Sequence, residues 1–204
     1  MMHRADFLNR LHRAMDIARG QDTSDFDLNA GRFGGQGAVL TDAAVLVGLV
    51  ERGGQTRVVL TKRTSALKHH PGQVAFPGGK RDAADADLHA TAMREANEEI
   101  GLSAEHVDIL GDLGRHETVT GFTVTPVLGM ISPEFVATPE AGEVAEVFEV
   151  PFDFLMDPAK TRIEGRMWHG TRRRYYVMPY GPFYIWGATA RMIVALRAAW
   201  EAAE

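Results

Sequence analysis

Glu95, Glu98 and Glu99 stand at spacing i, i+3 and i+4. On a helix turning about 100° per residue, such side chains leave from one face. Like charges at that spacing weaken a helix by roughly 0.2–0.5 kcal/mol per pair, so a bound cation is the natural reason for the cluster. Oxygen-only donors select a hard ion, Mg²⁺ or Mn²⁺, and such an ion with open water positions commonly serves a phosphate-bearing substrate. A solvated acidic helix would carry similar acids, and the surroundings decide between the two. Pro77-Gly78-Gly79 precedes the acids and Arg94 adjoins them. Two glycines allow backbone approach that a side chain would forbid, so a main-chain carbonyl can join the ligand set.

The element that must position these acids is a helix with two faces. Ala92, Met93, Ala96 and Ile100 form an apolar stripe away from the carboxylates, suited to docking on a sheet. Asp87 is the expected N-cap and Gly101 the expected C-terminal stop. One face packs and the other binds.

Gly79, Arg94, Glu95, Glu98, Glu99, Gly101 and Leu102 together resemble the Nudix hydrolase box. The box reads Gly, five residues, Glu, seven residues, then Arg-Glu-U-x-Glu-Glu-x-Gly-U, with U a bulky aliphatic. Three positions depart from it: the early acid is Asp85, eight residues separate it from Arg94, and Ala96 is small for a U position. The extra residue falls before or at the helix start, where a loop absorbs it. Upstream, Leu60-Thr61-Lys62-Arg63, Lys68, Gly72-Gln73 and Phe76-Pro77-Gly78-Gly79 are similar to the signature of the coenzyme A pyrophosphatase-like branch, in which Lys68 would more usually be Arg and Thr64 Ser or Ala. The likeness runs from about Ala43 to the Trp186–Ala190 segment.

The resemblance implies an α+β fold, an α/β/α sandwich with a central mixed β-sheet. It implies a metal set of Glu95, Glu98, Glu99 and the Gly78 carbonyl, binding Mg²⁺ or Mn²⁺. Glu95 and Glu99 are the expected principal ligands, and Glu98 is either a ligand or the base. Arg94 is expected to orient one of these acids through a bidentate pair without touching substrate. A loop acid facing the helix is expected to complete the site, Glu143 first and Glu146 second; exposed strand-edge acids are the competing reading. Arg63, Lys68 and Arg81 are the nearest basic candidates for a substrate phosphate. The implied reaction is cleavage of coenzyme A or a derivative to phosphopantetheine and adenosine 3′,5′-bisphosphate. Two other readings are a Nudix hydrolase for ADP-ribose or a dinucleotide, and a nucleotide-binding regulator without turnover.

Around this centre the chain divides into an N-terminal helix and connecting segment, 1–37, and the catalytic domain, 38–204, as one domain overall. Phe7, Leu8, Leu11, Met15 and Ile17 recur at helical spacing, predicting a covering helix near 4–19. Gln21 to Gly37 reads as a long connection with little structure. Ala43–Val50 and Arg57–Arg63 predict a hairpin around 51–56, and 65–75 reads as a basic loop. Adjacent His69 and His70 point apart on an extended chain, so a two-histidine metal site is not expected. Val107–Thr118 and Val124–Ile131 predict strands, with Pro126 at a strand end, edge or bulge. Pro151–Leu155 predicts a short helix, Arg162–Trp168 and Arg174–Met178 a hairpin, and 187–203 a terminal helix. The arginines at 172–173 read as part of a solvated turn in preference to a phosphate contact.

Composition sets the outer bounds. A net charge of −5 argues against a surface that coats nucleic acid, so any polyanion must be met locally. With no cysteine there is neither a disulfide nor a thiolate metal site. The longest apolar run, Ala43–Val50, is far below the roughly 20 residues of a membrane span. The expected setting is cytoplasmic, with a small nucleoside diphosphate as partner, no nucleic acid or membrane, and a homodimer compatible with the sequence.

Overall fold

A computed structural model describes residues 3–29, 39–67, 70–168 and 170–204. In chain order the elements are α1 (Arg4–Ala18), β1 (Thr23–Ser24), β2 (Thr41–Arg52), β3 (Gln55–Arg63), β4 (Val74–Ala75) and β5 (Gly78–Lys80). Then come α2 (Leu88–Ile100), β6 (Val107–Asp112), β7 (His116–Glu117), β8 (Phe122–Ile131), β9 (Val144–Pro151) and α3 (Phe152–Met156). The chain closes with β10 (Arg162–Trp168), β11 (Thr171–Tyr180), β12 (Phe183–Trp186) and α4 (Gly187–Ala202).

Strand β2 organises the main sheet. It runs parallel to β8 on one side and antiparallel to β3 and β5 on the other, so the sheet is mixed. Its residues alternate between two cores, as a strand with both faces covered requires. Ala43, Val47 and Leu49 face the cluster that also holds Leu11 of α1, Leu155 of α3 and Ile193 of α4. Ala44, Leu46 and Val50 face Ala92, Ala96 and Ile100 of α2. Helices on opposite faces of one mixed sheet make the expected α/β/α sandwich.

The β2–β3 hairpin closes on Gly53 and Gly54, both at positive φ, with Arg52 opposite Gln55. That two-residue turn matches the right-handed twist of the strands. Helix α1 docks on α4 through more than apolar contact: Arg10 donates to Trp200 O at 2.8 Å and Arg13 to Ala203 O at 3.0 Å. These arginines reach carbonyls at the α4 C-terminus, where intrahelical bonding runs out, although Trp200 O also accepts Ala203 N–H at 3.3 Å.

Several expectations need correction. The connection after α1 contains β1, which pairs in parallel with β7; the 30–37 portion of that connection lies outside the described residues. The segment 107–118 is two strands, because the chain breaks between Asp112 and His116. Pro126 lies inside β8, with β2 on one side and β6 and β7 on the other. Its carbonyl accepts Leu113 N–H at 3.0 Å, within the β6–β7 break. A residue's N and C=O in a strand point to the same neighbour, so the missing N–H of Pro126 faces a break and not a continuous ladder. The loop at 65–75 ends in β4, and β12 completes a three-stranded sheet with β10 and β11. Pairing in that hairpin extends further toward the turn than expected, so Arg172 and Arg173 are strand residues opposite Met167 and Arg166.

Candidate active site

Helix α2 begins where its capping residues dictate. Asp87 adopts an extended backbone and its carboxylate accepts Ala90 N–H at 2.8 Å. At the other end Gly101 takes the left-handed conformation, φ 70°, and its N–H returns to Asn97 O at 2.9 Å. Between these caps Ala92, Ala96 and Ile100 are buried on the sheet, and Glu95 and Glu99 face β5.

The three acids are not equivalent. Side-chain exposure is 59% for Glu98, 18% for Glu95 and 6% for Glu99, so they grade from solvent to interior. Glu99 accepts Gly78 N–H at 3.3 Å and lies 3.7 Å from Arg63 Nη1. Burial pushes its carboxyl up to about 7; the Gly78 N–H and the Arg63 guanidinium oppose this, while the Glu95 and Glu143 charges reinforce it. Glu95 is also raised, again chiefly by burial, with Arg94 acting against the shift and Glu98 and Glu143 adding to it.

The glycine pair makes room for these carboxylates. A Cβ on Gly79 would stand 2.5 Å from the Glu95 carboxyl carbon, so only glycine lets that acid lie against β5. A Cβ on Gly78 would overlap Ala44 O and Val45 Cα of β2. The turn is therefore packed on both sides, against the sheet and against the acid.

Arg94 departs from expectation in an instructive way. Its bidentate partner is Asp85, through Nε and Nη2 at 3.0 Å each, and not a glutamate of α2. Nη1 reaches Glu95 at 2.9 Å and Glu98 at 3.1 Å, and Nη2 also donates to Lys80 O at 3.0 Å. Asp85 in turn accepts Asp82 N–H and Thr91 Oγ1. These donors, the Arg94 guanidinium foremost, hold Asp85 well below the usual carboxylate range, and Asp85 holds Arg94 above its own. The variant acid thus has a structural role: it fixes the guanidinium that orients two of the three glutamates. The extra residue is taken up in the 81–87 loop ahead of α2.

Glu143 ends a loop fastened to the C-terminal end of α2, where Thr138 N–H bonds Ile100 O and Glu140 N–H bonds Glu99 O, both at 2.9 Å. Arg52 supports the same loop by donating to Phe135 O at 2.9 Å. Both buried glutamates feel the Glu143 charge. Glu146 lies on β9 opposite Lys62. Of the basic candidates, Arg63 faces Glu99, so it belongs to the floor of the site. Arg81 is exposed and donates to Asp85 O and Ala86 O at 3.2 and 3.3 Å. Lys68 lies outside the described residues. Sequence reasoning missed the Arg63–Glu99 contact and the depth of Glu99; both depend on where β3 and β5 lie against α2, which leaves no local signal.

As arranged, no three acidic or imidazole side chains among the described residues converge into a ready-made metal cage. Arg94 draws Glu95 and Glu98 toward itself instead. The donor set nevertheless fits a hard divalent ion: all donors are oxygen, and a protein that buries Glu99 near Glu95 and Glu143 raises carboxyl pKa values that a cation would bring down.

Comparison with known proteins identifies the family. The NUDIX domain family matches residues 40–169. The chain belongs to the Nudix family. An uncharacterized Nudix hydrolase NudL of Enterobacter sp. (strain 638) is 43% identical over 151 residues, 74% of this chain and 78% of that protein. The NudL of Citrobacter koseri is 38% identical over 170 residues, 83% of this chain and 88% of the relative. A solved MutT protein from Methanosarcina mazei Go1 shares the fold with TM-score 0.51 and 17% identity, covering 81% of this chain and 96% of its own. As a member of this family of hydrolases the chain is a diphosphohydrolase, an enzyme of a class that generally uses divalent metal ions and acts on nucleoside diphosphates. Among the described residues no helix is long and apolar enough to cross a membrane.

Proposed function

We propose that this Nudix enzyme cleaves the diphosphate of coenzyme A, or of a thioester derivative, into phosphopantetheine and adenosine 3′,5′-bisphosphate, with Mg²⁺ or Mn²⁺ as cofactor. The observation that carries the substrate reading is the meeting of the upstream signature with the acids. Arg63 N–H bonds Gln73 O at 2.9 Å, joining two parts of that signature. A third part contains Gly78, whose N–H bonds Glu99, and the Arg63 side chain faces the same carboxylate. Residues tied to substrate choice by resemblance thus adjoin those tied to chemistry.

Glu95, Glu98, Glu99 and the Gly78 carbonyl would hold the ion, which when bound supplies charge neutralisation on phosphoryl oxygens and acidifies a coordinated water. Arg94, anchored by Asp85, keeps Glu95 and Glu98 in register. Glu143, on the loop facing α2, takes the proton from the attacking water. The water oxygen forms a bond to one phosphorus, the bridging P–O bond breaks, and the other phosphate leaves with the bridging oxygen. Arg63 limits repulsion among the buried carboxylates, and Arg81 and Lys68 are assigned to substrate phosphates.

The test is a panel of coenzyme A, dephospho-coenzyme A, ADP-ribose and a dinucleoside diphosphate at saturating Mg²⁺, with products identified by mass. The reading expects coenzyme A to have the highest kcat/KM and to yield the two named products. A higher kcat/KM for ADP-ribose or the dinucleotide, or equal values with and without the 3′-phosphate, would reject it.

A further inference from the structure

The smaller sheet ends on one side in β10, which pairs only with β11 among the described residues. A strand with an open side presents backbone donors and acceptors to any extended chain that approaches it. Natural edges are commonly blunted by a bulge, a proline or a lysine. β10, Arg-Ile-Glu-Gly-Arg-Met-Trp, has neither proline nor lysine, and its register with β11 is unbroken over all 7 residues.

Asn29 shows which groups of β10 face outward. Its side-chain amide donates to Arg174 O at 3.1 Å, and its side-chain carbonyl accepts Arg174 N–H at 2.8 Å. The Arg174 main chain therefore points away from β10, and Gly165 opposite it belongs to a pair without mutual hydrogen bonds. Gly165, and with it Ile163 and Met167 two residues to either side, turns its own N–H and C=O to the open edge. Ile163 and Met167 are also 43% and 62% exposed. A glycine between two exposed apolar residues on an open edge suits the close approach of another backbone.

The residues around Gly165 complement themselves in the antiparallel sense. A two-fold axis there sets Gly165 against the partner's Gly165 and Ile163 against the partner's Met167, each pair exchanging both backbone hydrogen bonds. Glu164 then stands against the partner's Arg166, at the intervening positions where antiparallel side chains come closest. The symmetry repeats this ion pair. Glu164 already accepts Tyr184 Oη–H at 2.7 Å, but a carboxylate has room for a second donor, and Arg166 is exposed. Moving the axis to Glu164 or to Arg166 would set like charges against each other, so charge also fixes the register. Arg172 opposes association: a Cβ on Gly165 would stand 2.8 Å from its Nε, so two copies bring these arginines toward the axis. Both are exposed, and water and salt screen them.

We infer that two copies of this chain associate through β10, joining their three-stranded sheets into one continuous antiparallel sheet. This association does not depend on which diphosphate the enzyme cleaves. The test is sedimentation equilibrium of the full-length protein from about 1 to about 500 µM, a span that covers weak interfaces. Wild type is compared with Glu164→Arg, Arg166→Glu and the two combined, with circular dichroism as the check on folding. Wild type should dimerise. Each single substitution sets like charges across the junction and should raise the dissociation constant at least about tenfold, whereas the combination restores opposite charges and should return it to within about threefold. An equimolar mixture of the two single variants should form a heterodimer at concentrations where each alone is monomeric, which no folding defect could produce. Should Glu164→Arg lose its fold along with the Tyr184 bond, Met167→Lys at the exposed edge carries the same expectation of weakened association. A monomeric wild type over this range, single variants that dimerise as well as wild type, or a mixture that stays monomeric would overturn the β10 interface.

Discussion

Glu99→Gln should stabilise the metal-free protein at alkaline pH while abolishing turnover. The Glu99 carboxyl is raised from 4.5 to about 7, first because burial penalises its charge. The folded state therefore holds a proton that the unfolded state releases near pH 4.5. This contribution to stability is complete below about 4.5, declines across the interval and is gone above about 7. A shift of that size corresponds to about 3 kcal/mol at 1.36 kcal/mol per pKa unit, or roughly 6–12 °C in melting temperature for a chain of this length. Glutamine keeps an oxygen for Gly78 N–H but cannot ionise; it also loses the attraction of Arg63, so the full figure is an upper bound. The assay is thermal unfolding with a chelator present, from pH 4.5 to 8.5. Wild type should lose stability as pH rises, and Glu99→Gln should lose less, keeping a residual slope from Glu95, which shifts in the same direction. At pH 8 the variant should melt above wild type. A variant that melts lower at pH 8, beside a flat wild-type profile, would refute the reasoning.

Gly79→Ala and Gly78→Ala should separate catalysis from folding. The first meets only the end of the Glu95 side chain, so melting should change little while kcat falls about 100-fold as that acid is displaced. The second meets β2 backbone, and reduced stability should accompany any loss of activity. Asp85→Asn removes the charged partner that holds the Arg94 fork, so kcat should fall about tenfold or more with KM less affected; wild-type kinetics would contradict the anchoring role. Thr125 is 3% exposed and its hydroxyl lacks a partner among the described residues. Thr125→Val should therefore raise stability by about 1 kcal/mol in denaturant titration, and a decrease would point to an unseen bond at that hydroxyl.

The parts of the site legible in the sequence are those fixed by local spacing. Asp87 and Gly101 delimit α2, its apolar stripe selects the packed face, and Gly78-Gly79 announces a close backbone approach, though not that Glu95 is the group lying against it. The rest depends on long-range register. No periodicity within 95–99 distinguishes exposed Glu98 from buried Glu99, because the difference arises where β5 passes under α2. Arg63 reaches Glu99 only through the position of β3 against α2. Pro126 argues for a strand edge until the β6–β7 break is known, and Arg173 belongs to a turn until the hairpin register moves it into β11. Asp85 looks like a defect in the box at the level of spacing, yet its carboxylate still meets Arg94.

Direct Mn²⁺ binding, followed by electron paramagnetic resonance in wild type, Glu95→Gln and Glu99→Gln, tests the metal-holding face without reliance on turnover. Each substitution should weaken Mn²⁺ on the order of tenfold or more while the fold persists. Wild-type Mn²⁺ affinity in both variants would contradict the assignment of this acidic face as the metal centre.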